Sequence, residues 1–160
     1  VDISVIFDGR ALLETKLERI ERGIAYPTRL YQSLAEFMAD RTAERFQRGG
    51  YPDRWADIKP QSRLQRKASR TTPPLWDVAE LYKAATATRP GVAHSLFALL
   101  PDGFTMGTDR ADAARHQFGF KGRDSRGRNV NEPARPFEMI TDSDEVGMKS
   151  LTETYIDSLI

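Results

Sequence analysis

The chain has 160 residues, 39% apolar and 29% charged, with a mean hydropathy of -0.55 and a formal net charge of +1. That length fits one domain with a sizeable core, and the near-neutral balance excludes a chain that is a polycation throughout, built to coat nucleic acid. The absence of cysteine excludes disulfides, thiolate nucleophiles and cysteine-type zinc sites together, no apolar run approaches a membrane span, and the first residues lack a basic-then-apolar leader pattern.

In "VDISVIF", Val1, Ile3, Val5 and Phe7 fall on alternate positions, the period of a half-buried strand, which Asp8-Gly9 ends. Leu13, Leu17, Ile20 and Ile24 then recur at helical spacing and predict a helix over 11–22, punctuated by Gly23 and Pro27. A longer helix is predicted from about Thr28 to Arg48, with Leu30, Leu34, Phe37, Met38, Arg41 and Arg45 stepping around it and Gly49-Gly50 as the stop. "GGYPDRWADIKPQS" reads as a loop carrying Tyr51 and Trp55, after which Pro60 opens a short basic helix. Beyond "TTPP", Leu75, Val78, Leu81 and Tyr82 make a short amphipathic stripe.

"VAHSLFALL" and "DGFTMGT", joined by a turn at Pro101-Asp102-Gly103, read as a β-hairpin. Ala111 to Phe118 forms one or two helical turns. An extended mobile arm is expected over 119–133, then a last strand at "RPFEMI", then a terminal helix capped by Asp142 or Ser143 and ending at Ile160. Helices first, a small antiparallel sheet in the second half and a closing helix make this an α+β fold, a single domain over 1–160.

Charge is unevenly placed. Between Arg41 and Arg70 stand nine basic residues (Arg41, Arg45, Arg48, Arg54, Lys59, Arg63, Arg66, Lys67, Arg70) against Glu44, Asp53 and Asp57. From Glu138 onward the sign reverses, with Asp142, Asp144, Glu145, Glu153 and Asp157 against Lys149. Opposite charges at opposite ends can pair within a subunit or between neighbours, or simply line two solvated helix faces.

Catalytic signatures are sparse. His94 and His116 lie in no His-Glu-Xaa-Xaa-His arrangement, and Ser95 lies in no Gly-Xaa-Ser-Xaa-Gly elbow. "GRDSRGR" spaces glycines among arginines without the Gly-Lys-Ser/Thr ending of a phosphate-binding loop. Lys121, Arg123, Arg126 and Arg128 can neutralise phosphates non-specifically, but they lack interleaved aromatics for base stacking. A solvated loop or a protein-docking arm fits those four residues equally well. "PARPF" has a firmer physical content, because each proline fixes its own φ and pushes the residue before it to an extended backbone. It should act as a rigid strap at a sheet edge, with Arg135 free to grip a carboxylate and Phe137 directed to the core. Plain core packing is expected for Trp55.

"HQFG" at His116–Gly119, a variable loop and "PARPF" at Pro133–Phe137 resemble the phage virion-morphogenesis (tail-completion) family of Mu-like and related tailed phages. In the same order, "RFQRGGYPDRW" places Phe46, Gly50, Pro52 and Trp55, a polar helix places Lys67, and "MGT" stands at Met106–Thr108. The resemblance covers nearly the whole chain from about residue 12. At 78–81, "VAEL" stands where the family usually shows a Thr-Gly-Leu-like turn, so continuous helix is expected there.

The resemblance implies a non-enzymatic structural protein with the fold of tail terminators and neck proteins. It would complete the head-proximal end of the tail as an oligomeric ring, commonly six-fold, touching tail-tube and neck or connector proteins. It implies residence in the virion after assembly in the host cytoplasm, with no cofactor, metal or membrane. On this reading His116 and Gln117 hydrogen-bond backbone where the helical turn meets the sheet, and Phe118 and Phe137 bury against the sheet. Gly119 permits the chain reversal, Pro133, Ala134 and Pro136 shape the strap, and Arg135 pairs with an acid of its own or an adjacent subunit. Arg135→Ala is then expected to weaken assembly more than folding. The runner-up reading is a DNA-contacting packaging or head-completion factor using the Arg-rich 121–128 loop, and a small hydrolase comes third.

Overall fold

The computed structural model describes residues 10–57, 74–75, 79–123 and 126–160. The expected strand at 1–7 and the basic helix after Pro60 lie outside these residues.

Helix α1 spans Arg10–Ala25 and helix α2 spans Thr28–Arg48. The buried positions of α2 are Ala35, Met38, Ala39, Thr42, Arg45 and Phe46. They step by three and four, so one stripe of the helix faces inward. This stripe is rotated slightly from the one predicted. Leu30, Leu34, Phe37 and Arg41 flank it half-buried, and two small alanines, Ala35 and Ala39, lie in its N-terminal half. The helix stops where expected. Gly49 takes a left-handed conformation, and the Gly50 N–H returns to the Arg45 carbonyl at 2.8 Å.

Helix α3 is short, Glu80–Ala85, and the chain turns just before it, because Ala79 has a φ of 57°. The expected run of continuous helix through 78–81 is therefore interrupted at Ala79, a left-handed position costly for a residue with a Cβ. The predicted hairpin is present as β1 (Ala98–Leu100) and β2 (Gly103–Thr105), antiparallel, with Leu100 opposite Gly103 and one further bridge between Ser95 and Thr108. It packs on α2, as do α3 and the last helix.

Helix α4 spans Ala113–Phe118, shorter than expected at its start. The segment read as an irregular arm contains a second antiparallel hairpin, β3 (Phe120–Arg123) with β4 (Asn129–Glu132), in a register that sets Lys121 opposite Asn131. Alternation explains it: Phe120, Gly122, Val130 and Glu132 are half-buried on one face, and Lys121, Arg123, Asn129 and Asn131 are exposed on the other. Among the described residues two separate two-stranded sheets stand where a single small sheet was expected, and the fold is α+β.

The last helix, α5, covers Asp142–Asp157 and is capped by Thr141, one residue before the predicted cap. The Thr141 hydroxyl accepts the Asp144 N–H, and the Asp144 carboxylate accepts the Thr141 N–H at 2.9 Å, a reciprocal capping box. Helix α1 is fastened to the C-terminal end of α5. There Arg19 Nε donates to the Leu159 carbonyl, and Tyr155 OH donates to the Gly23 carbonyl. No helix among the described residues is long and apolar enough to cross a membrane.

The core gathers around Phe46, which is fully buried with Trp55, Leu81, Ala85, Ala113 and Phe137. Among the described residues three rings pack on Phe46: Trp55 edge-on at 5.7 Å, Tyr82 at 5.6 Å and Phe137 tilted at 5.5 Å. Such offset and edge-to-face contacts add to the burial of large apolar area.

Candidate functional site

Residues 133–137 form the predicted strap, but neither they nor the rest of the strand expected at 135–140 belong to a strand. Pro133 and Pro136 carry no N–H, so every other backbone group here needs a partner from outside a regular ladder. The Arg135 N–H donates to the His116 carbonyl at 2.6 Å. The Gln117 side chain supplies what a neighbouring strand would. Its Oε1 accepts the N–H groups of Phe137 and Glu138 at 3.0 and 3.2 Å, and its Nε2 donates to the Glu138 carbonyl at 2.6 Å. On the other side, Trp55 Nε1 donates to the Pro136 carbonyl at 3.0 Å. The strap is stitched between α4 and the loop after α2, and Phe137 is pressed into the core.

The remaining motif residues are distributed around this junction. Trp55 is buried in the core as well as bonded to the strap. Gly119 has a φ of 76°, and a Cβ there would lie 2.8 Å from the Ala134 nitrogen and 2.9 Å from the Glu132 carbonyl oxygen. Only glycine permits the chain to leave α4 against the returning strap. Pro133 and Ala134 are exposed, and Pro136 is half-buried.

One expectation needs correction, and two others gain detail. Phe118 is 79% exposed, because it shares the outer face of α4 with Ala114 while Ala113 and Gln117 face inward. Phe137 is buried as expected, 1% exposed, and the surface it packs on is the Phe46 ring. Arg135, also buried, pairs with no carboxylate among the described residues of its own chain: its Nε and Nη2 donate to the carbonyls of Ala56 and Asp57. Burial lowers the Arg135 pKa from its ordinary value, against the opposing pull of Glu132 and Asp57. This arginine braces its own chain, so the loss in Arg135→Ala should fall on folding.

His116 contributes its backbone carbonyl, while its Nδ1 is buried without a hydrogen-bond partner. Burial lowers the ring's pKa more than Asp112 and Glu132 raise it, so the ring is neutral at neutral pH. Glu138 Oε1 is likewise buried and unpaired, and burial pushes this carboxyl up to about 7. Its folded pKa lies above the ordinary carboxyl value of 4.5, so the fold favours the protonated form. Stability is therefore highest below the unfolded value and falls as pH rises toward about 7. Glu138→Gln should abolish that decline, gaining about 1–2 kcal/mol at about pH 8 relative to about pH 5 once solvent screening of the half-buried group is allowed for. Urea melts of both proteins at the two pH values measure it, and parallel profiles would sink the idea.

Part of the two opposite charge sets meets inside the subunit, where Arg41 and Arg45 reach Asp144. Asp144 on α5 is fully buried; its Oδ1 accepts Arg41 Nε at 2.9 Å, and its Oδ2 accepts the buried Arg45 Nη2. Burial alone would raise the Asp144 pKa, but hydrogen bonds from Thr141 and Arg41 and the charge of Arg45 outweigh it and hold the carboxyl low. Arg48 and Arg41 both reach Glu44 and lie over the Tyr51 ring. The sequence signal for this pair was the position of Arg45 on the apolar stripe of α2.

As for catalysis, His94 Nδ1 meets Asp109 Oδ1 at 2.9 Å, but both side chains are more than half exposed on the outer edge of the first hairpin. Among the described residues no three His, Asp or Glu side chains gather to hold a metal. Lys121, Arg123, Arg126 and Arg128 are all exposed along the second hairpin. Its base is fixed by Arg115, which pairs with Glu132 at 3.1 Å and stacks over the Phe120 ring at 4.4 Å.

The turn at His116–Gly119 and the strap at Pro133–Phe137, here stitched together, are the two motifs that resemble the phage virion-morphogenesis family. The profile of the phage virion morphogenesis family matches residues 9–157, and the chain belongs to that family. It is 30% identical over 158 residues to the Mu-like prophage FluMu G protein 2 of Haemophilus influenzae, an alignment covering 99% of both chains. No solved structure matches it.

Proposed function

We propose that the chain completes the head-proximal end of a phage tail and helps join it to a DNA-filled head, acting as a closed ring of six identical subunits. Its neighbours would be tail-tube proteins on one side and neck or connector proteins on the other. It would assemble in the host cytoplasm and remain in the virion as a structural, non-enzymatic part.

The observation that carries this reading is the apolar surface left open on α1. Leu12, Leu13, Leu17 and Ile24 are each 49–68% exposed on a helix fastened at its C-terminal end. A run of large apolar side chains on one helix is covered in an assembly more often than it is left in water. Exposed Leu96, Leu99 and Leu100 on the first hairpin offer a second, different patch. Two unlike patches are what a heterologous interface needs, and such an interface closes into a ring when the rotation permits.

The test is electron microscopy of particles produced with the gene disrupted. Filled heads beside unattached tails are the expected result, with abnormal tail length pointing to termination and normal length to connection. Normal joined virions would overturn the proposal.

A further inference from the structure

One face of the hairpin of β3 and β4 carries only polar and cationic side chains. The register puts Lys121 opposite Asn131 and Arg123 opposite Asn129, so these four exposed side chains stand together on one side of a two-stranded ribbon. A shallow groove runs along the same strands, lined by these four side chains together with Gly122 and the half-buried Val130. The four are two cations and two amides. They include neither an acid nor an apolar side chain.

The opposite face is spoken for. Phe120 and Glu132 there are held by Arg115 from α4, through the 4.4 Å stacking contact and the 3.1 Å ion pair. The ribbon thus projects from a fixed base with its cationic face outward. At its tip Arg126 and Arg128 are also exposed, so Lys121 to Arg128 carries four basic residues against Asp124.

We infer that this face binds double-stranded DNA through its phosphates. A protein partner would need an apolar anchor at the centre of the contact, which these four side chains do not offer. Cations and amides are the groups that contact phosphate and groove edges. Same-face residues on a strand lie about 7 Å apart, so Lys121 and Arg123 present two charges in line along one edge of the ribbon. A two-stranded ribbon is also narrow enough to enter the B-DNA major groove, about 12 Å wide. Lys121 and Arg123 hold phosphates, Asn129 and Asn131 donate to phosphate or base edges, and binding is largely independent of sequence.

The experiment measures binding of the full chain to a short fluorescent duplex by anisotropy across a salt series. The wild-type affinity should fall linearly with salt on logarithmic axes, and Lys121→Ala/Arg123→Ala should weaken binding about tenfold or more and reduce the slope by about 2. The charge-conserving Lys121→Arg/Arg123→Lys should bind as wild type, which separates loss of charge from loss of fold. Arg54→Ala/Arg89→Ala removes two exposed arginines elsewhere and should leave the slope unchanged. The inference is overturned if wild type does not bind, if the alanine pair binds as wild type, or if the Arg54/Arg89 pair loses as much. It is equally overturned if the alanine pair keeps DNA binding yet blocks virion formation, which would make the face a protein-docking surface. Because the readout is DNA binding in solution, its failure leaves the tail-completion reading standing.

Discussion

Asp144→Ala should destabilise the fold by about 3–5 kcal/mol, among the largest effects of any single substitution in the chain. Arg45 is 1% exposed, and its Nε and Nη1 already have no hydrogen-bond partner. Removing Asp144 leaves this guanidinium buried and uncompensated, which costs far more than the pair contributes while intact. The same substitution removes the carboxylate half of the α5 capping box, worth about 1 kcal/mol. Asp144→Asn keeps a cap acceptor and should recover only that smaller part. Replacing both partners by apolar residues, Arg45→Met with Asp144→Leu, should be less harmful than Asp144→Ala alone. Urea denaturation with unchanged m-values reads all three, and a double variant worse than the single would refute the account. The pH sign is opposite to that of Glu138. The Asp144 carboxyl is held low, so its contribution is present above its unfolded pKa and lost as pH falls through the folded value.

Phe137→Ala should cost a comparable 3–5 kcal/mol, roughly the range for emptying a buried aromatic site. Phe137 is 1% exposed and touches Phe46, the ring on which Trp55 and Tyr82 also pack. The void would open at the centre of the core, bounded by stiff rings with little freedom to collapse into it. Its loss also detaches the end of the strap, so the Trp55 bond to the Pro136 carbonyl should loosen with it. Phe118→Ala supplies the contrast, since that side chain is 79% exposed and should change stability by within about 0.5 kcal/mol. Equal losses in the two variants, measured by circular dichroism melts, would mean that the core has been assigned to the wrong phenylalanine.

Much of this architecture was legible from local pattern. The 3.6-residue period of α2, its Gly49-Gly50 stop and the Pro101-Asp102 turn each have a cause within a few residues, so the elements fell where predicted. What local pattern could not reveal was which partner each segment would find. "RPFEMI" has the composition of a strand, but Gln117, twenty residues earlier, satisfies its backbone first. Arg135 looked like a carboxylate clamp, because nothing nearby in sequence announces the carbonyls of Ala56 and Asp57, nearly eighty residues away. The second hairpin was masked by its glycines and arginines, since its alternation is between polar and half-buried side chains rather than polar and strongly apolar ones. Arg45 was the informative exception. A charged residue on an apolar stripe demands a buried counter-ion, and the acidic C-terminal segment was the place to seek it.

The Gln117 stitch has a consequence for how this chain can vary in length. The distance from α4 to the strap is set by hydrogen bonds at its two ends, from His116 and Gln117 to Arg135, Phe137 and Glu138. The number of residues between Arg123 and Asn129 does not enter. Extra residues at that tip lengthen a loop whose ends are already clamped, and each doubling of such a loop costs only about 0.6 kcal/mol. The hairpin can therefore grow or shrink, and so change its reach, while the core beneath it stays as it is.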